Sequence, residues 1–176
     1  MSTPQQNTVA PAVASLYIEA IRQGQSLWFR AASGSMRPII CTGDTVHIEP
    51  ASGSELQPGE IAAFDTPDGL VIHRIVQHQQ TGTGVRLLQM SDVDLQASWI
   101  EEQAIVGRVI LTRRGARQVD LQRLIAKKVG VVTAYLRFQF YRLYECGKSD
   151  LVRMVSHKCS RLVVYLGYWC IRTGNR

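Results

Sequence analysis

Three side chains of this sequence have the types needed for nucleophilic attack on a carbonyl: Ser35, His73 and Asp92. Ser35 lies in Ala32-Ser33-Gly34-Ser35-Met36-Arg37-Pro38, where small residues and a proline break the apolar run Leu27 to Ala31. A serine at the end of a strand is usually a turn residue, but the same setting can expose a hydroxyl on rigid backbone. A hydroxyl is a weak nucleophile until an adjacent base takes its proton, and histidine titrates in the range that suits that task. His47, His78 and His157 lie in a strand after the turn, a polar stretch and a basic tail. His73, in Leu70-Val71-Ile72-His73-Arg74-Ile75-Val76, shares a strand face with Val71 and Ile75 by alternation. A histidine on an apolar face is more often a satisfied core residue than a catalyst, although a dry site keeps the imidazole neutral, as a base must be. In Gln89-Met90-Ser91-Asp92-Val93-Asp94 a carboxylate could orient that imidazole and stabilise its charged form. Taken alone, Asp92 and Asp94 read equally well as turn residues.

The elements that must position these groups are short. Residues 9–24 read as an amphipathic helix with Val13, Leu16, Ile18 and Ile21 apolar and Gly24 as its stop. From 27 to 112 the pattern changes to β segments, Leu27–Ala31, Thr45–Glu49, Glu60–Asp65, Leu70–Gln77, Val85–Met90 and Ala104–Leu111. Turn signals separate them, and Pro67-Asp68-Gly69 between two apolar runs predicts a hairpin. There is no βαβ alternation, so the expected fold is mainly β (α+β), a curled antiparallel domain.

Beyond Arg113-Arg114-Gly115 the chemistry switches. Residues 119–145 place Leu121, Leu124, Ile125, Val129, Val132, Leu136, Phe140 and Leu143 at helical spacing, with Arg123, Lys127, Arg137 and Arg142 interleaved. Gly147-Lys148-Ser149 marks a break, with Ser149 as an N-cap candidate. A second helix over about 150–172 carries Leu151, Val155, Leu162, Leu166 and Trp169 with Arg153, Lys158 and Arg161. Charge follows the same division. Residues 1–112 carry 6 Lys/Arg against 11 Asp/Glu (−5), and residues 113–176 carry 14 against 3 (+11). The expected organisation is an N-terminal tail and short helix (1–26), a β domain (27–112) and a basic amphipathic helical hairpin (113–176).

The β region resembles the signal-peptidase-I-like serine proteases, whose superfamily includes the self-cleaving SOS repressors. Ser33-Gly34-Ser35-Met36-Arg37-Pro38 is similar to the nucleophile box. Gly43-Asp44-Thr45-Val46, Pro58-Gly59-Glu60-Ile61-Ala62-Ala63-Phe64, Val71-Ile72-His73-Arg74-Ile75-Val76, Ser91-Asp92 and Ile105-Val106-Gly107-Arg108-Val109 follow in the family's order and spacing. The resemblance covers about residues 27–112. It implies Ser35 as nucleophile, and Ser33 with the Ser35 backbone N–H as the oxyanion hole. It implies His73 as general base, where bacterial signal peptidases and the SOS repressors carry lysine and the archaeal and endoplasmic-reticulum type carries histidine. Asp92 matches the first acidic position of that type. Ser91 stands where the family has glycine, Ala97 and Ser98 stand in the region of a further aspartate, and Ile39-Ile40 replaces Thr-Leu.

The expected activity is that of a serine endopeptidase without an N-terminal membrane anchor, acting on a protein or peptide segment with small residues near the scissile bond. No cofactor or metal is called for. A self-cleaving regulator is the second reading, although no Ala-Gly precedes the β domain and the Cys146-Gly147 bond lies downstream of it. A peptidase-fold binding module that has lost catalysis is the third. The basic helices read either as a hairpin packed on the β domain or as an attachment to an anionic membrane surface. No helix-turn-helix, zinc or RNA-binding signature accompanies the charge, which argues against nucleic acid. Cys41, Cys146, Cys159 and Cys170 form no CxxC pair, and Cys159 and Cys170 read as buried reduced thiols. The expected location is the cytoplasm, peripheral at the membrane.

Overall fold

In the computed structural model, residues 11–67, 69–82, 84–146 and 150–174 are described. Gly147, Lys148 and Ser149, with the expected break, cap and Cys146-Gly147 bond, lie outside them, as do residues 1–10, Asp68 and Thr83. Helix α1 spans Pro11–Arg22. Proline suits a first helical position because its missing N–H would lack a partner there anyway. Ala14, Ile18 and Ile21 recur at helical spacing and are buried, and Gly24 ends the helix at φ +94°.

Eight strands follow: β1 (Leu27–Arg30), β2 (Thr45–Pro50), β3 (Ile61–Thr66), β4 (Gly69–Thr81), β5 (Gly84–Met90), β6 (Ala97–Glu101), β7 (Ile105–Arg114) and β8 (Arg117–Asp120). They form one sheet in the order β1-β2-β7-β3-β4-β5-β6, with β8 also on β7. Every pairing is antiparallel. The expected fold class is the observed one, a curled antiparallel β domain followed by two long helices.

Two expectations need correction here. The reading of helix from 119 onward fails at Val119 and Asp120, which pair with Thr112 and Leu111 as part of β8. Gly115, at φ +58°, makes the tight turn that returns the chain to β7. Helix α2 (Leu124–Cys146) starts later, after the Asp120 carboxylate accepts the Gln122 N–H at 2.8 Å. Cys170 is exposed and Cys159 half-buried; all four cysteines are free thiols.

The core has three parts. The largest joins Ile18, Ile21, Phe29, Met36, Ile39, Ile40, Val46, Ile48 and Val109, so α1 and the turn after β1 close one side of the sheet. Leu56, Phe64, Ile75 and Leu87 form a second cluster. The third, Val76, Leu88, Met90 and Leu95, is covered by α2 through Ala134, Phe138 and Tyr141.

Helix α2 meets the sheet along small residues. A Cβ on Gly130 would sit 2.8 Å from the Gly59 carbonyl oxygen, so the two backbones pass as closely as glycine allows. Ala126, Gly130, Thr133 and Ala134 form the buried face, while Leu124, Ile125, Val132 and Leu143 are exposed. The apolar stripe read from the sequence is therefore split: Leu121, Val129 and Phe140 pack against the core, and these four point outward. Helix α3 (Asp150–Gly174) packs on α2 through Ser156, Ser160, Val164, Gly167 and Ile171.

Candidate active site

Ser35 begins the turn after β1, and its backbone is fixed from both ends. Its carbonyl accepts the Asp92 N–H (2.9 Å), the Val93 N–H (3.2 Å) and the Ser91 hydroxyl (2.8 Å). Ser91 Oγ also accepts the Val93 N–H at 3.1 Å. The serine in place of the family's glycine is thus a positioning group for the Ser35 carbonyl. At the far end of the turn the Asp44 carboxylate accepts the Cys41 N–H and a two-pronged bond from Arg114, whose guanidinium also donates to the Pro38 carbonyl. These bonds to Asp44 hold the Arg114 guanidinium well above its ordinary pKa. The Arg37–Pro38 peptide is cis. Gly34 leaves room for the Arg37 guanidinium, which lies where a Cβ would stand.

The Ser35 hydroxyl lies 3.4 Å from the Ser33 hydroxyl. The Ser35 N–H makes no hydrogen bond among the described residues, so it remains available as a donor.

His73, half-buried in β4, lines one cleft with Ser35, Gln89, Ser91, Asp94, Gln96, Ala97 and Ser98. Its Nδ1 bonds Gln89 Oε1, and Gln89 Nε2 donates to Ser98 Oγ. An amide oxygen can only accept, so Nδ1 carries the proton and Nε2 keeps its lone pair. Burial is the largest influence on the ring and lowers its pKa from 6.5, partly opposed by the Gln89 bond and the charges of Asp94 and Asp92. The imidazole is therefore neutral near pH 7, as a general base must be. No hydrogen bond joins His73 to Ser35 among the described residues.

Asp92 is not the partner of His73. Its carboxylate is fully buried and takes a two-pronged bond from Arg74, at 2.9 Å to Nε and 2.6 Å to Nη2. Arg137 of α2, also fully buried, stands 3.9 Å from the same carboxylate. Arg137 donates to the carbonyls of Ser91, Asp92 and Asp94 and, at 2.8 Å, to Ser160 Oγ of α3. Burial, the largest influence, pulls its pKa down and the Asp92 charge raises it. The expectation that Asp92 orients the imidazole is thus replaced by a structural role. The Arg74 guanidinium takes both oxygens of its carboxylate with the Arg137 charge nearby, and an amide stands behind the histidine.

Sequence reasoning missed Gln89, Ser98 and Arg137. The signal for Gln89 was its position on the strand adjoining β4, where diagonal neighbours are within reach of long side chains. Arg137 carried no such signal, since an arginine between apolar helix residues reads as part of a solvated face. A second cleft flanks Ser35 on the other side, lined by Gly34, Arg37, Asp94, Arg161 and Tyr165 among others, so α3 forms one of its walls.

The sequence profile of the family described as Peptidase S24-like matches residues 4–110, from the N-terminal segment into β7. That span contains Ser35, His73, Gln89 and Asp92 but neither α2 nor α3. No curated protein matches the chain significantly.

Proposed function

Because the chain belongs to the Peptidase S24-like family, we propose that it is a serine endopeptidase with Ser35 as nucleophile and His73 as general base. Ser35 Oγ attacks the peptide carbonyl while His73 Nε2 takes its proton. The negative charge that forms on the carbonyl oxygen faces the Ser35 N–H and the Ser33 hydroxyl, and donors of this kind are worth about 3–4 kcal/mol each in barrier height. The tetrahedral adduct collapses, the C–N bond breaks, and the amine leaves with the proton returned from His73. Water then attacks the acyl-enzyme, His73 takes its proton, and Ser35 Oγ is released as the hydroxyl.

The observation that carries this reading is the His73–Gln89–Ser98 chain beside the free Ser35 N–H. An amide orients the imidazole here, as an asparagine does in the Cys-His-Asn proteases. Histidine at the position of the base supports the Ser-His branch of the superfamily over the Ser-Lys one, and no lysine occurs before Lys127. The substrate is a peptide segment in extended form, lying across the two clefts that meet at Ser35. Mass-spectrometric analysis of a proteome-derived peptide mixture tests it. New termini are expected with the intact protein and none with Ser35→Ala; undiminished cleavage by Ser35→Ala would remove Ser35 from the mechanism.

A further inference from the structure

Helix α3 is amphipathic in an unusual sense, because the side that packs inward mixes Ser and Gly with Val164 and Ile171 while a stripe of large apolar side chains faces solvent. At about 100° per residue, the inward row of Ser156, Ser160, Val164, Gly167 and Ile171 spans a narrow sector. Leu151, Val155, Leu162, Leu166 and Trp169 fall within about 60° of one another on the opposite side. All five are exposed, Leu151 at 64% and Trp169 at 63%. Lys158, Arg161 and Arg172 run along one edge of that sector. Helix α2 repeats the pattern, with Ile125, Val132 and Leu143 exposed and Lys128 and Arg142 alongside.

A contiguous exposed apolar surface of this kind marks an interaction site, since isolated exposed side chains need no such explanation but a helical stripe does. We propose that the outer face of the α2–α3 hairpin lies on an anionic lipid bilayer surface. Three observations select that occupant. An aliphatic and tryptophan stripe edged by Lys and Arg is the arrangement of helices that lie in the headgroup plane. The 14 Lys/Arg against 3 Asp/Glu of residues 113–176 complement anionic headgroups and oppose pairing with a second copy of the same surface. Among the described residues no helix is long and apolar enough to cross a membrane, so the face would lie on the bilayer and not span it.

The same helix brings Arg161 and Tyr165 to the cleft at Ser35. Docking would hold that cleft at the lipid surface, a consequence that rests on the peptidase reading above; the docking itself does not.

The test is co-sedimentation of the full chain, carrying Ser35→Ala so that catalysis plays no part, with vesicles of phosphatidylcholine alone or with phosphatidylglycerol added. At least tenfold tighter binding to the phosphatidylglycerol vesicles is expected, weakening as salt is raised. The exposed-site variant Leu162→Ser/Leu166→Ser/Trp169→Ser is expected to lose at least tenfold of that binding while keeping the circular dichroism spectrum of the parent. Equal partition to both vesicle types, no partition to either, or undiminished binding by the triple variant would overturn the proposal. So would a dimer in light scattering that the triple variant dissociates, since the face would then serve self-association.

Discussion

His73 and Arg74 are consecutive residues of β4 and do opposite work. His73 opens toward the cleft, and its hydrogen-bonding partners are neutral. Arg74 is buried behind the sheet, locked to Asp92 and to the Gly59 carbonyl. Strand alternation sends neighbours to opposite faces, so one residue step separates a titratable group kept neutral from an ion pair kept charged. The charged side supports the neutral one: Asp92, Arg74 and Arg137 fix the 91–94 loop, and that loop holds the Ser35 carbonyl. Acidic residues near a histidine are therefore not catalytic by proximity alone. What decides is which cation has already claimed the carboxylate.

The comparison can be broken from either side. On the cleft side, Ser35→Ala and His73→Ala are each expected to lower kcat/KM by about 10⁴-fold or more. Ser35→Ala should stay within about 0.5 kcal/mol of the parent's unfolding free energy, while His73→Ala, which leaves the buried Gln89 amide oxygen unpaired, should cost about 1–3 kcal/mol and still fold. On the buried side, Asp92→Ala leaves two guanidiniums without their counter-ion and should cost about 3–5 kcal/mol of stability. Urea unfolding measures it, and an unchanged midpoint with a collapsed rate would restore the discarded role of Asp92 as orienter.

Smaller effects sharpen the picture. Gln89→Ala frees the imidazole to rotate and change tautomer and should lower kcat/KM by about 10–100-fold, the equivalent of about 1–3 kcal/mol for a buried polar group left unpaired. Gln89→Glu should restore orientation and, by adding a negative charge at Nδ1, raise the His73 pKa. Burial holds the folded His73 pKa below 6.5, so the acid limb of kcat/KM should have its midpoint below 6.5. In Gln89→Glu the same acid limb moves upward. Any stability that a neutral His73 contributes is present above 6.5 and is lost as pH falls through the depressed value, because the unfolded chain then binds the proton first. Ser91→Ala removes one of three donors to the Ser35 carbonyl and should cost about 1 kcal/mol of stability and only a few-fold in rate.

Much of this was legible before the fold was known. Six strand segments and the β3–β4 hairpin follow from apolar runs and turn residues, and Ser35 and His73 stand out by residue type and setting. The Asp92 assignment failed for a reason that sequence does not carry. Beyond the β4–β5 turn, Thr81 pairs with Gly84 and Gln77 with Leu88, a register which, continued, would set Asp92 opposite His73. A bulge between Ile75 and Gln77 slips the register by one residue, and Arg74 pairs with Met90 instead. Strands β6 and β8 escaped notice because each is short, and neither contains a buried residue to announce it. The orientation of α2 was also hidden. Several of its aliphatic side chains, Leu124, Ile125, Val132 and Leu143, face solvent, and a buried arginine bonded to three loop carbonyls occupies its inner face.

The central claim is that Ser35 is a nucleophile activated by His73 without help from Asp92. Labelling with a fluorophosphonate, followed by peptide mapping, tests it most directly. The account predicts modification of Ser35 in the parent, loss of labelling in His73→Ala at unchanged folding, and labelling that falls in Asp92→Ala only in proportion to the fraction unfolded. Labelling of Ser35 at the parent rate in His73→Ala, or no labelling of the folded parent at all, would contradict it.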